Sequence, residues 1–230
     1  MKKLKIEKNK LTFIDLFAGC GGLSLGLEQA GFFPLYVNEL NEDALETYLS
    51  NRDKKYPHLR EKFHSHDLRD EIYKRNFFKN LFNDLELFFQ RDFSKENVDL
   101  VVGGPPCQGF SRLGIRRSYS VKKDQLPSNH LFQDMAFFIS RIKPKIFLFE
   151  NVQGLLRSKW NPEGKKGEVF YEVLNTFKKI SNYNVKFKLI FSKDYGVPQN
   201  RPRVLIIGIN KKIPMNVVND HDALINGFLP

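Results

Sequence analysis

Cysteine, methionine and tryptophan are scarce: the 230 residues include two cysteines, three methionines and one tryptophan. Cys20 and Cys107 stand far apart without C-x-x-C spacing, so neither a disulfide framework nor a zinc site is suggested and no metal is expected. Such usage fits a reducing compartment, and we expect a cytoplasmic protein. No apolar stretch approaches the ~20 residues that cross a bilayer, so no membrane partner is expected. Lys2 and Lys3 followed by Leu16-Phe17-Ala18-Gly19-Cys20 look like a lipoprotein signal. The apolar run from Leu11 to Ala18 is short, however, and carries Asp15 near its centre, which insertion would have to desolvate. Acids are also in deficit, 26 Asp and Glu against 37 Lys and Arg, a formal net charge of +11. A surface of that sign attracts polyanions, most commonly nucleic acid, although the same excess also serves plain solubility.

What the chain does have is a globular composition, 41% hydrophobic and 13% aromatic, enough for one domain with a core. Residues 1–10 read as a basic lead-in, 11–212 as the folded domain and 213–230 as a tail. Thr12 to Phe17 is a short apolar strand running into Gly19-Cys20-Gly21-Gly22, and Leu23 to Ala30 then has helical spacing. Pro34 to Asn38 predicts a strand ending at Glu39, Asp43 to Leu49 a helix, and Phe63 to His66 a strand ending at Asp67. Residues 69–93 carry Phe77, Phe78, Leu81, Phe82, Leu85, Phe88 and Phe89 at helical intervals, a core-packing face rather than an aromatic cage. Strands are predicted at Val98 to Val102, Ile146 to Phe149, Val185 to Phe191 and Val204 to Ile209, and helices at Leu131 to Ile142 and Val169 to Ile180. Such alternation implies an α/β fold with a mostly parallel twisted sheet and helices on both faces.

In such a sheet ligands sit beyond the carboxyl ends of the strands. The glycine turn there lets backbone approach a ligand, and Glu39 follows it by about 20 residues, the spacing of an acid that holds ribose hydroxyls. Glycines also permit close helix packing, so the turn alone leaves both readings open. Ser24 stands where G-x-G-x-x-G has its third glycine, which suits a nucleoside without phosphates better than a dinucleotide. Cys107 follows two prolines that fix the loop backbone, and Glu150 ends another strand. A thiol with a carboxylic acid beside it suits nucleophilic attack and proton delivery, but an inert buried cysteine stands equally well on spacing alone.

Four segments together resemble the cytosine-C5 DNA methyltransferases. Asp15-Leu16-Phe17-Ala18-Gly19-Cys20-Gly21-Gly22-Leu23-Ser24 is similar to the family's cofactor motif, and Gly104-Pro105-Pro106-Cys107-Gln108-Gly109-Phe110-Ser111 to its nucleophile motif. Glu150-Asn151-Val152 and Gln199-Asn200-Arg201-Pro202-Arg203 are similar to its catalytic glutamate and Q-x-R-x-R motifs, in the family's order. The resemblance implies a Rossmann-like S-adenosylmethionine-dependent methyltransferase fold and transfer of a methyl group to C5 of a flipped cytosine in double-stranded DNA. S-adenosylhomocysteine would be the product. Cys107 would attack C6, Glu150 would serve N3, and Arg203 with Arg201 would serve the carbonyl oxygen. Phe17 would stack on adenine, Glu39 would bind the ribose and Asp67 would accept from the adenine amine, with Gly19, Gly21, Gly22, Leu40, Leu68 and Leu131 completing the cofactor site. Leu40 stands where the family often has tryptophan.

The resemblance also implies that a basic loop, Arg112 to Asn129, closes over DNA, with contacts from Gln108, Ser111, Arg112, Arg116, Arg117 and Gln199; from composition alone it is a solvated loop. Family members of ordinary length continue past Q-x-R-x-R into a target-recognition domain and a closing helix. The expectation is therefore a split subunit or truncated form in a restriction-modification system, with a second polypeptide supplying those parts. An RNA cytosine methyltransferase and a non-catalytic fragment that binds cofactor or DNA are the alternatives.

Overall fold

The structure, a computed structural model, describes residues 6, 7, 9–93, 97–106 and 130–213. Its strands are β1 (Thr12–Leu16), β2 (Phe33–Asn38), β3 (His64–Ser65), β4 (Leu100–Gly103), β5 (Ile146–Val152), β6 (Tyr183–Phe191) and β7 (Pro202–Asn210). The helices among the described residues are α1 (Gly22–Gln29), α2 (Glu42–Ser50), α3 (Pro57–Glu61), α4 (Leu68–Ile72), α5 (Phe77–Phe89), α6 (Leu131–Ile142) and α7 (Glu168–Lys178). The strand order is β3-β2-β1-β4-β5-β7-β6. Neighbours β1 and β2, β1 and β4, and β2 and β3 pair in parallel, while β6 and β7 are antiparallel. The expected mostly parallel α/β sheet is the one found.

The described residues fall into two compact units, one within Met1–Gly103 and Phe137–Ile146, the other within Gly104–Ala136 and Phe147–Pro230. In the first, β1, paired in parallel on both edges, is buried at every position, the pattern of a strand covered on both faces. Asp99 anchors its start: one carboxylate oxygen accepts from the Thr12 amide at 2.8 Å and hydroxyl at 3.0 Å, and the other from Lys145 at 2.6 Å. The β1–β2 register jumps between Phe13 and Ile14, opposite Pro34, which has no amide proton to offer the ladder. The Pro34 carbonyl is met at 2.8 Å by Nε2 of His58 from α3. His58 is fully buried among Phe33, Phe63 and Phe89, and burial lowers its pKa from 6.5 to about 4, against the opposing effect of the Pro34 bond.

One predicted element differs, and one element was not predicted. The single helix expected over 69–93 is two, α4 and α5, because Asn76 between them adopts the left-handed conformation (φ 70°), which asparagine tolerates and a helix cannot contain. The Phe-rich face is core as expected, with Leu81, Leu85, Phe88 and Phe89 inward. Helix α3 was not predicted; it starts on Pro57 at its first turn and is too short to show a period.

In the second unit, burial alternates along β5, and Phe147 and Phe149 pack on Phe177 of α7 at ring separations of 5.3 and 5.2 Å. A side chain at Gly208 of β7 would overlap Phe147, so glycine is needed there for packing. Gly208 thus lies against Phe147, whereas Arg203 lies against Glu150. The chain numbers run in opposite senses, so β7 opposes β5 as well as β6. The start of β7 therefore meets the end of β5, and the Q-x-R-x-R segment is delivered to Glu150 from 53 residues away.

Candidate functional site

In the first unit three strand ends are stitched together. The Ala18 amide donates to Asn38 O at 3.0 Å, the Glu39 amide to Ser65 O at 3.1 Å, and the buried Asn38 amide group to Ser65 Oγ at 2.9 Å and His66 O at 2.8 Å. This network sets Glu39 and Asp67 at the ends of adjacent strands. Glu39 accepts the Gly19 amide on one oxygen at 2.7 Å and the Asn41 amide on the other at 2.8 Å. Each oxygen keeps a further lone pair, the capacity that two ribose hydroxyls would use. Asp67 caps α4 with Oδ1, accepting from the Arg69 amide at 2.8 Å, and Oδ2 takes no hydrogen bond among the described residues.

Above the turn there is space: nothing lies within 4 Å of a Cβ built on Gly19 or Gly22. Below it there is none. Gly21 (φ 88°) rests on the Arg52 guanidinium and the Tyr48 ring, each 2.6 Å from such a Cβ. Phe17 itself is left-handed (φ 58°), a strain of order 1–3 kcal/mol that persists only where surrounding bonds impose it. The amides of Gly19 and Gly21 are already committed, to Glu39 and to Ala18 O, and a carboxylate stands beside them. A phosphate would meet the Glu39 carboxylate beside the turn, whereas a ligand bringing two hydroxyls finds acceptors on that same carboxylate. Leu40 is 65% exposed beside Glu39, an apolar surface free for a base. Leu68 is buried, so only its main chain could face a ligand, and Leu131, half-buried at the start of α6, belongs to the second unit.

Asp15 opens the cofactor motif without having been given a role there, and Arg52 was not predicted as part of this scaffold. The Ser24 hydroxyl donates to Asp15 at 2.6 Å and meets Tyr48 OH at 2.7 Å, which explains the serine at the third-glycine position. Burial raises the Asp15 pKa from 3.8 to about 7, with the Ser24 bond and Arg52 acting against it and Glu39 and Glu28 reinforcing it. Asp15 and His58 therefore oppose each other. The folded state holds the Asp15 proton more tightly than the unfolded chain, so that contribution is complete below pH 4 and lost as pH rises through 7. His58 contributes fully above pH 6.5 and loses its contribution as pH falls through 4. Relative to the parent, His58→Leu should lower the slope of unfolding free energy against pH between 4 and 6.5 by about 1.4 kcal/mol per unit, and Asp15→Asn should raise it by about as much. Urea melts across that range measure both, and parallel curves for parent and variants would count against the two titrations.

In the second unit Glu150 lies within β5, which continues to Val152, rather than just after its predicted end at Phe149. Its Oε1 is 2.5 Å from Arg203 Nε, with side-chain exposures of 30% and 18%. Its Oε2 would be 2.9 Å from a Cβ at Gly104, so only glycine lets the carboxylate approach the head of the Gly104-Pro105-Pro106 segment. Asn151, buried on the opposite face, donates to Pro105 O at 3.2 Å while its own oxygen accepts from the Val152 amide at 2.9 Å. Arg201 and Gln199 are exposed. The turn that holds them is tied by Ser192, whose hydroxyl donates to Gln199 O and accepts from the Arg201 amide at 3.1 Å. Ser192 acts through main-chain partners that no spacing announces, whereas Asn151 and Gly104 belong to motifs already singled out. Cys107, Gln108, Ser111, Arg112, Arg116 and Arg117 lie outside the described residues. Gly104→Ala should displace the Glu150 carboxylate and reduce methyl transfer about 10- to 100-fold, since small misplacements of catalytic groups have effects of that size, with the melting temperature little changed. Full activity in that variant would mean that the close approach has no catalytic value.

The model of a protein family described as C-5 cytosine-specific DNA methylase matches residues 11–226. Among curated proteins, a type II methyltransferase M1.HphI of Haemophilus parahaemolyticus is 34% identical over 90% of this chain and 48% of its own length. A type II methyltransferase M.BsuRI of Bacillus subtilis is 33% identical over 94% of this chain and 47% of its own length. A solved structure described as a DNA modification methyltransferase encoded within an E. coli prophage aligns with a TM-score of 0.61 at 27% identity, over 90% of this chain and 50% of that one. The Entamoeba histolytica methyltransferase EhMeth aligns with a TM-score of 0.56 at 22% identity, over 88% and 53%, a likeness of fold. The chain spans about half the length of the curated relatives it matches. Among the described residues no helix is long and apolar enough to cross a membrane.

Proposed function

Because the chain belongs to the C-5 cytosine-specific DNA methylase family, we propose that it carries the methyl-transfer chemistry of a DNA cytosine-C5 methyltransferase, as the modification component of a type II restriction-modification system. The observation that carries this reading is the Glu150–Arg203 pair, seated against Gly104 three residues before Cys107. Cys107 Sγ forms a bond to C6 of a flipped cytosine, and the electron pair of the C5–C6 double bond makes C5 nucleophilic. Glu150 donates to N3 and Arg203, with Arg201, to the carbonyl oxygen, where charge gathers during the attack. Methyl transfer to C5, loss of the C5 proton and expulsion of the Cys107 thiolate then restore the aromatic ring. S-adenosylmethionine supplies an electrophilic methyl group on a sulfonium; Glu39 would hold its ribose, Asp67 Oδ2 its amine, and Phe17 and Leu40 its adenine, a fit supported by the lone pairs left on Glu39 and Asp67.

Duplex DNA bearing 5-fluorocytosine tests the reading, because fluorine cannot leave as the C5 proton does and the enzyme remains bonded to the base after methyl transfer. The assay is run on the chain alone and with a polypeptide carrying the second half of a type II relative, the source of a target-recognition domain. A covalent adduct that requires S-adenosylmethionine supports the proposal, and adduct only in the mixture assigns a second polypeptide as partner. No adduct under either condition rejects it. Adduct on RNA but not on DNA would reassign the substrate.

A further inference from the structure

Beyond β5 the chain enters a 3₁₀ turn, Gln153–Arg157, that packs against β7, and then a ten-residue loop, 158–167, closed at its base by the Gly167 amide on Ser158 O at 3.2 Å. The loop is braced from inside. Glu168 of α7 accepts the Trp160 amide at 2.7 Å on one oxygen and the Lys165 amide at 3.0 Å on the other, and Glu172 accepts the Trp160 indole at 2.8 Å. Gly164 has no room for a side chain against the Glu168 carboxylate, and the indole stacks on His130 at 5.1 Å and 9°. Four cations, Arg157, Lys159, Lys165 and Lys166, face one acid, Glu163, in this stretch. Arg157, Lys165 and Lys166 are exposed, and their side chains make no ion pair among the described residues. The nearby acids Glu168 and Glu172 are spent on the brace. Local stability does not account for the lysines either, since they flank the start of α7, the end of a helix where positive charge is disfavoured.

We propose that residues 157–167 form a preformed surface for the phosphates of duplex DNA, gripping the backbone beside the target base without reading sequence. The partner follows from the chemistry. Unpaired cations on a rigid loop give up little conformational freedom on meeting a polyanion, and their gain is release of its counterions. The loop also leaves directly from the strand that carries Glu150, with Arg157 seven residues on, at most about 25 Å of extended chain. The inference rests on the DNA reading above.

The test compares two pairs of substitutions of equal charge at opposite ends of α7, about 16 Å apart for its eleven residues. Binding to duplexes of unrelated sequence is followed as salt is varied. Lys165→Gln with Lys166→Gln should reduce the magnitude of the slope of log affinity against log salt by about 1 to 2, equally for every duplex. Lys178→Gln with Lys179→Gln, also exposed, should leave the slope unchanged. Lys165→Arg with Lys166→Arg should keep the parental slope, and S-adenosylhomocysteine affinity should not move in any variant. Equal slopes for parent and the 165/166 pair, the same change in both glutamine pairs, or no duplex binding by the parent would each overturn the proposal. A covalent adduct with an unresponsive slope removes the loop's role and leaves methyl transfer standing. A responsive slope without adduct does the reverse.

Discussion

Cys107→Ala is expected to abolish the 5-fluorocytosine adduct and to lower methyl transfer by on the order of 10⁴-fold or more, the scale on which enzymes lose rate when a covalent nucleophile is removed. Affinity for S-adenosylhomocysteine should be unchanged. The separation follows from the layout of the chain. The residues assigned to the ribose and amine, Glu39 and Asp67, are held by bonds among Gly19, Asn38, Asn41, Ser65 and Arg69, none of which involves the nucleophile segment. The approach to Cys107 is built from other parts: Pro105 and Pro106 restrict their own φ angles, and Asn151 holds the Pro105 carbonyl. Gel-shifted adduct, radiolabelled methyl incorporation and calorimetry read the three quantities. Residual methyl transfer near the parental rate in Cys107→Ala would end the covalent mechanism. Loss of both adduct and cofactor affinity, with a lowered melting temperature, would mark a folding defect, and Cys107→Ser then serves as the closer isostere.

Glu150→Gln should cost about 10² to 10³ in kcat, in line with removal of one acid or one preorganised partner of developing charge. The amide keeps the shape that Gly104 accommodates but cannot reproduce a carboxylate bonded to the Arg203 guanidinium. Because the pair is partly solvent-exposed, its loss should change unfolding free energy by no more than about 1 kcal/mol. Activity and stability should therefore separate, and single-turnover rates with urea melts show whether they do. A variant retaining more than about a tenth of the parental kcat would place N3 protonation outside Glu150, since general acids contribute at least 10²-fold.

Much of the fold could be read from apolar runs and punctuation. Thr12 to Leu16, Leu100 to Gly103 and Ile146 to Val152 are strands because short β-branched and aromatic runs end in glycine, proline or polar residues. The placing of Glu39 at a strand end was legible because the apolar run Pro34 to Asn38 stops at that acid. Other parts were not. Periodicity has no direction, so nothing in Pro202 to Asn210 says that β7 runs against β5, yet that reversal brings Arg203 to Glu150. The left-handed Asn76 is one residue in a run of helix formers, and its effect is to end one helix and begin another. The partners of Asn151 and Ser192, and two of those of Arg52, are main-chain oxygens and amides, and such partners leave no trace in side-chain patterns.

Arg52 has a wider consequence. Its guanidinium donates to Gly21 O at 3.1 Å, to Tyr48 O at 3.2 Å and to Glu28 at 2.7 Å, and it lies 3.9 Å from the centre of the Tyr48 ring, almost wholly buried. One side chain thereby fastens the glycine turn to both α1 and α2. Breaking any of these contacts leaves a buried charge short of a partner, which costs more than the contact itself. Opening the turn alone is therefore disfavoured relative to opening it with both helices, so the glycine turn is expected to have no loosened state of its own. Its integrity is inherited from the cooperative unit in which it sits.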